Sequence, residues 1–302
     1  MPYIHEGSPG SNATFGAFLA SRDFQSQVTP NETQRTTLIV AGCYIIVIAL
    51  LWHIPFLSWI IYPFKLLTVG FHEMSHALVG VLTCARIHSI ELDPDEGGST
   101  SMSGGIQWLT LPAGYLGSSF IGACLIACGF NTNASKVASI VLAVFFLFTL
   151  WWARRDWLTW VLLLGMAALI IIFWFAGGGI ALRYLILFIG VMSDLYVIWD
   201  VIDDTIKRKV NSSDASAFAK ICGCCPSQVW GVIWLIQALI FFALGIIVGL
   251  VAFKQSAAVQ KENASHFLPV PGSSGALSTA PSALMATVLS FFVLFGSAVN
   301  LL

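Results

Sequence analysis

Phe71-His72-Glu73-Met74-Ser75-His76 sets an H-E-x-x-H motif inside a hydrophobic stretch that begins near Ile54 and runs to about Leu82, long enough to cross a bilayer. On a helix the two histidines lie at i and i+4 on one face, so both imidazoles reach a single ion of the zinc type. Glu73 is carried beside them, where a carboxylate can act as base toward a water. Chance does not account for the motif: this chain's own His and Glu content gives about 0.002 random matches. Two histidines and a glutamate in a spanning helix are costly unless a metal or water meets them, so their placement marks a functional site. A helix-packing polar cluster, or a degenerate site without metal, is the plainer alternative.

The composition around this stretch is that of a polytopic membrane protein. Of 302 residues, 57% are hydrophobic and only 10% charged, with mean hydropathy +0.84. Soluble domains carry about a quarter charged residues. A net charge of −1 offers no basis for nucleic-acid binding. The first 35 residues are polar and lack an apolar segment behind a basic start, so no cleavable signal peptide is expected.

Hydropathy places spans near 37–53, 56–83, 106–129, 136–152, 157–175, 180–199 and 228–253, with an eighth apolar run at 284–302. The expectation is an all-α polytopic membrane protein of about seven to eight transmembrane helices. It divides into a polar cytosolic tail (1–35), a transmembrane core (36–253), and a polar lumenal loop with a C-terminal apolar helix (254–302). If all eight cross, Arg22, Arg35, Arg86, Arg154, Arg155, the Lys207-Arg208-Lys209 run and Lys220 share one side. Lys136, Arg183, Lys254 and Lys261 fall on the other, which makes the N-terminus and the 200–227 loop cytosolic. Sequons divide, with Asn133 and Asn263 lumenal and Asn12, Asn31 and Asn211 cytosolic. The last run also fits a lipid-anchor signal after Ser273-Ser274-Gly275, but such signals accompany a cleaved leader, so a final transmembrane helix is preferred. The chain reads as a multi-pass protein of an endomembrane (ER or Golgi) or the plasma membrane.

A two-histidine site requires a third protein ligand. His53 lies near the opposite end of its helix and His88 follows the motif in a loop. Asp200-Val201-Ile202-Asp203-Asp204 closes the sixth span, with its three acids on one helical face. Spans two and six run in the same direction, so the acidic end of one emerges beside the motif end of the other. Asp200 lies deepest toward the apolar segment and is the preferred ligand; Asp203 and Asp194 are the alternatives. Pairing of Asp203 with Lys207 at a solvated helix end would also explain the cluster.

Residues 86–105 combine the strand-like Arg86-Ile87-His88-Ser89-Ile90-Glu91-Leu92 with Gly97-Gly98, Gly104-Gly105 and a Ser/Thr-rich stretch, a pattern that suits a β-hairpin dipping toward the site. Its exposed edge would let an unwound substrate segment pair as an added strand. A solvated loop is the alternative. Pro112, Gly114 and Gly117 in the next helix allow close backbone approach or a break beside the metal.

The intramembrane motif, the strand-like loop, the Gly-rich turn and Leu111-Pro112-Ala113-Gly114-Tyr115-Leu116-Gly117-Ser118 together resemble the site-2 protease family of zinc metallopeptidases, over roughly residues 55 to 225. The resemblance implies His72, His76 and Asp200 as Zn²⁺ ligands and Glu73 as catalytic base. It also implies cleavage of transmembrane protein substrates within the membrane. The family's distal motif sets its liganding aspartate before a glycine, and this chain contains no Asp-Gly pair, so it resembles a divergent branch. No soluble recognition module is visible, so substrate selection falls to the membrane core, in contact with lipid, or to an adaptor protein. An inactive scaffold or adaptor for transmembrane helices is the alternative reading. Of seven cysteines, only Cys222-Gly223-Cys224-Cys225 cluster, with palmitoylation, a minor metal site or packing as their possible roles.

Overall fold

The computed structural model describes residues 22–54, 57–93, 97–202 and 213–267. Eleven elements of regular structure longer than a turn carry the argument: α1 (Arg22–Val28), α2 (Glu32–His53), α3 (Ser58–Leu82), the strands β1 (Arg86–Asp93) and β2 (Gly97–Ser103), then α4 (Gln107–Cys128), α5 (Thr132–Trp152), α6 (Trp157–Phe175), α7 (Ile180–Ile202), α8 (Asp214–Cys222) and α9 (Ser227–Ala252). A short polar helix, α10 (Ala257–His266), follows. Among the described residues the protein is thus mostly helical with one small antiparallel hairpin, as the sequence leads one to expect.

Five segments among the described residues are long and apolar enough to cross a membrane: Glu32–His53, Gln107–Cys128, Thr132–Trp152, Trp157–Val201 and Ser227–Ala252. The expected count of seven to eight differs for identifiable reasons. α3 is long enough, but Lys65, the two imidazoles and Glu73 dilute its apolar character. Trp157–Val201 is one apolar stretch of 45 residues. It is broken into α6 and α7 at Gly177, Gly178 and Gly179, whose φ of 60°, 67° and 93° no ordinary side chain adopts cheaply. The run at 284–302 lies outside the described residues.

α4 is the central helix, packed on α3, α7 and α9. Side chains at its crossings are small. A Cβ at Gly117 would overlap the side chain of Ser75 on α3, and one at Gly245 on α9 would stand 2.7 Å from the Ala123 carbonyl oxygen. Backbone-to-backbone approach of this kind replaces the hydrophobic drive that lipid does not supply. The core around it is apolar, with Leu66, Ile126, Leu182, Ile186, Leu187 and Met192 fully buried.

One expectation about sidedness is corrected. α2 runs parallel to α7: the Arg183 guanidinium donates to Thr37 Oγ1, the Tyr44 hydroxyl donates to the Tyr184 carbonyl, and Trp52 stacks on Trp199 with centroids 4.6 Å apart. The start of α2 therefore meets the end of α9, where Asn31 Nδ2 donates to the Lys254 carbonyl (2.8 Å) and Lys254 Nζ to that of Thr29 (2.8 Å). Residues 29–35 and 254–267 share one face, although the charge count separates them. Counting charges along the chain assumes that every span reverses direction, and helix packing does not obey that count here.

Candidate metal centre

α3 presents His72, Glu73 and His76 on its buried side. The imidazoles are held by different elements. His76 Nδ1 lies 2.6 Å from the Thr110 carbonyl oxygen at the start of α4. A carbonyl only accepts, so Nδ1 carries the proton and Nε2 is the nitrogen left for a ligand role. The His72 ring is fixed edge-on against Tyr115, at 4.8 Å and 87°, and Tyr115 itself stacks on Trp234 of α9.

The acid that meets these nitrogens is Asp214. Its Oδ2 stands 2.9 Å from His72 Nε2 and 2.9 Å from His76 Nε2. These three residues form the cluster of ligand atoms, all within 4.8 Å of one another, that could hold a metal ion among the described residues. Asp214 is the first residue of α8, whose N-cap is Ser213, and Phe218 anchors that short helix edge-to-face on Trp108 and Trp230. Burial by itself pushes the Asp214 carboxyl up. With both imidazoles protonated at Nε2, the charge of His76 and the hydrogen bonds the two rings donate outweigh it and hold the group below the usual carboxylate range.

Asp200, the ligand favoured from the sequence, is at the site but on the other side of the ring: its Oδ2 is 4.0 Å from His72 Nδ1. Asp194 is farther away. It faces Gly122 of α4, where a Cβ would stand 2.7 Å from its Oδ2, eight residues or about 12 Å along the helix from Gly114. Asp203 and Asp204 lie outside the described residues. His53 bonds to the Ala49 carbonyl and His88 to Ser103, so neither joins the cluster. Asp214 escapes a sequence reading because Ser213-Asp214 has the pattern of an ordinary helix N-cap with an acid in its first turn. Only the docking of α8 aims it inward.

Glu73 is held by β2. The Thr100 hydroxyl lies 2.7 Å from Glu73 Oε2 and 2.9 Å from the Glu73 carbonyl oxygen. β2 approaches this closely because residue 98 is glycine: a Cβ there would stand 2.7 Å from Glu73 Cγ and 2.8 Å from Val69 Cγ1. The hairpin pairs Ile90 with Thr100 and Leu92 with Gly98, and the Leu92 amide donates to Asp156 Oδ2 at the head of α6. A cavity of about 850 Å³ opens between these parts, bordered by Val69, Glu91, Gly98, Gln107, Tyr196 and Asp200 as well as the cluster.

The residues fit zinc. Two imidazole nitrogens and one carboxylate are a donor set of the catalytic type, which leaves a fourth position open. Gly114 keeps space clear beside them, since a Cβ there would overlap His72 and stand 2.5 Å from His76 Nε2. Such a set, with a further acid alongside and membrane helices around it, defines a membrane metallopeptidase. The chain matches the family model described as Peptidase M50B-like over residues 40–245, more than half its length, and it belongs to that family. The match takes in the motif helix, the hairpin and Asp214, in accord with the site-2 protease-like character read from the sequence, and peptidases of this family are typically zinc-dependent. No curated protein and no solved structure matches the chain. It is an integral membrane protein.

Proposed function

We propose that this protein is a zinc-dependent endopeptidase that cuts transmembrane protein substrates within the membrane. In this reading His72, His76 and Asp214 hold the metal, and Asp200, on the Nδ1 side of His72, orients that ring. The observation that carries it is the convergence of three ligand atoms and the Glu73 carboxylate on one cavity. Zinc held there supplies Lewis acidity to a water and to a peptide carbonyl. Glu73 takes the proton from that water and later gives it to the departing amine, and the Thr100 hydroxyl keeps Oε2 aimed while this happens. The outer edge of the hairpin offers backbone groups to an extended segment, so that an unwound substrate helix regains hydrogen bonds it gave up.

Glu73→Gln tests the reading. Glu73 acts as a base and not as a ligand, so the variant keeps its fold and its zinc and loses turnover, because an amide accepts no proton at neutral pH. Membranes from cells carrying it accumulate intact transmembrane proteins that the parent protein removes. Full rescue of a deletion phenotype by Glu73→Gln means that the protein serves as an adaptor and not as a protease.

A further inference from the structure

The turn that ends α8 carries thiol chemistry that the metal centre does not use. Cys222 is the last helical residue, and Gly223 follows in the left-handed conformation at φ 65°. This reversal brings Cys222 Sγ to 3.0 Å from Cys224 Sγ, and Cys224 Sγ lies 3.4 Å from Cys225 Sγ. Two unbonded sulfurs at 3.0 Å are inside ordinary contact and within about 1 Å of a disulfide bond length. The turn precedes Ser227, so it lies outside the apolar helix Ser227–Ala252. Cys224 is exposed, and Cys222 is half-buried against the Phe218 and Trp234 cluster.

We propose that Cys222 and Cys224 form a redox-active dithiol, a modification site for low-molecular-weight disulfides of the glutathione class. The exposed Cys224 thiolate attacks one sulfur of R–S–S–R, forming a mixed disulfide and releasing one R–S⁻, which takes up a proton. Cys222 then loses its proton to water, and its thiolate attacks Cys224 Sγ; the Cys222–Cys224 bond forms and the second R–S⁻ leaves and is protonated. Two thiols give up two electrons and one R–S–S–R becomes two RSH. Cys222 and not Cys225 closes the bridge. A bond between the sequence neighbours Cys224 and Cys225 would force their shared peptide away from the trans plane, whereas the left-handed Gly223 has already turned Cys222 toward Cys224. The pair sits at the end of α8 whose other end bears Asp214, so the oxidant acts on the helix that carries the acid of the metal site.

The test uses the full chain purified in detergent, equilibrated with mixtures of oxidised and reduced glutathione, alkylated, digested and read by mass spectrometry. The expected result is a Cys222–Cys224 bridged peptide at oxidising ratios, reversed by excess reduced glutathione, with two fewer alkylatable thiols per chain. Cys225→Ser retains the bridge, and Cys222→Ser stops at glutathionylated Cys224. Three results overturn the proposal: all three thiols staying alkylatable, stable glutathionylation of Cys224 in the parent chain without closure, or a bridge that Cys225→Ser abolishes. None of these outcomes depends on whether the protein is a peptidase.

Discussion

Gly114→Ala is a one-carbon perturbation aimed at the metal centre from outside the motif. The added Cβ would overlap the His72 ring and lie 2.5 Å from His76 Nε2, whereas ordinary contact begins at 3.4 Å. The surroundings leave few ways out. His76 is tied by Nδ1 to the Thr110 carbonyl, and His72 is wedged on Tyr115, so the two Nε2 atoms must recede by about 1 Å or α4 must move off α3. Misorientation of metal ligands costs about 10–100-fold in metal affinity. A shift of about 1 Å at reacting groups costs on the order of 10²-fold in turnover. Gly70→Ala supplies the control, because on the same helix as the motif a Cβ there meets nothing within 4 Å. It leaves zinc binding unchanged and adds about 0.5–1 kcal/mol of helix stability. Zinc competition against a chromophoric chelator, in detergent, reads both variants. Binding by Gly114→Ala within twofold of the parent protein would refute the reading that Gly114 keeps space clear beside the two imidazoles.

Asp214→Ala removes a proposed ligand and lowers zinc content as far as His76→Ala does, while Asp200→Ala keeps stoichiometric zinc with affinity weakened about 10–100-fold; metal analysis of the three variants decides, and the reverse order restores Asp200 as ligand. Thr100→Val deletes a hydrogen bond to a carboxylate, of about 1.5–3 kcal/mol, so cleavage of a transmembrane reporter falls roughly 10–100-fold with zinc retained, and Thr100→Ser returns most of it. Gly98→Ala drives a Cβ into Glu73 and Val69, so it too loses cleavage, and no second-site hydroxyl rescues it; normal cleavage by Gly98→Ala would mean that β2 does not hold Glu73.

The membrane class and the motif were legible in the sequence because each rests on local information. Apolar runs report the solvent directly, and i, i+4 spacing puts His72 and His76 on one face whatever surrounds the helix. Pro112, Gly114 and Gly117 announced a close approach without naming the partner, which proves to be the imidazoles and Ser75. The strand pattern of 86–92 likewise foretold the hairpin, but its contact with Glu73 runs through Thr100, one hydroxyl in a Ser/Thr-rich stretch that nothing local distinguishes.

Which acid meets the two Nε2 atoms was decided by tertiary structure alone. Asp200 lies in the last turn of α7 and Asp214 follows that helix, and chain position favours the first. What separates them is which nitrogen of His72 each one faces, Nδ1 for Asp200 and Nε2 for Asp214. That depends on Phe218 seating α8 among Trp108, Trp230 and Trp234. The direction of α2 was hidden for the same reason, since hydropathy gives the length of a span while its direction relative to α7 is fixed by contacts between residues far apart in the chain, such as Thr37 with Arg183. Sequence periodicity fixes which residues share a face; only packing between distant segments fixes what that face meets.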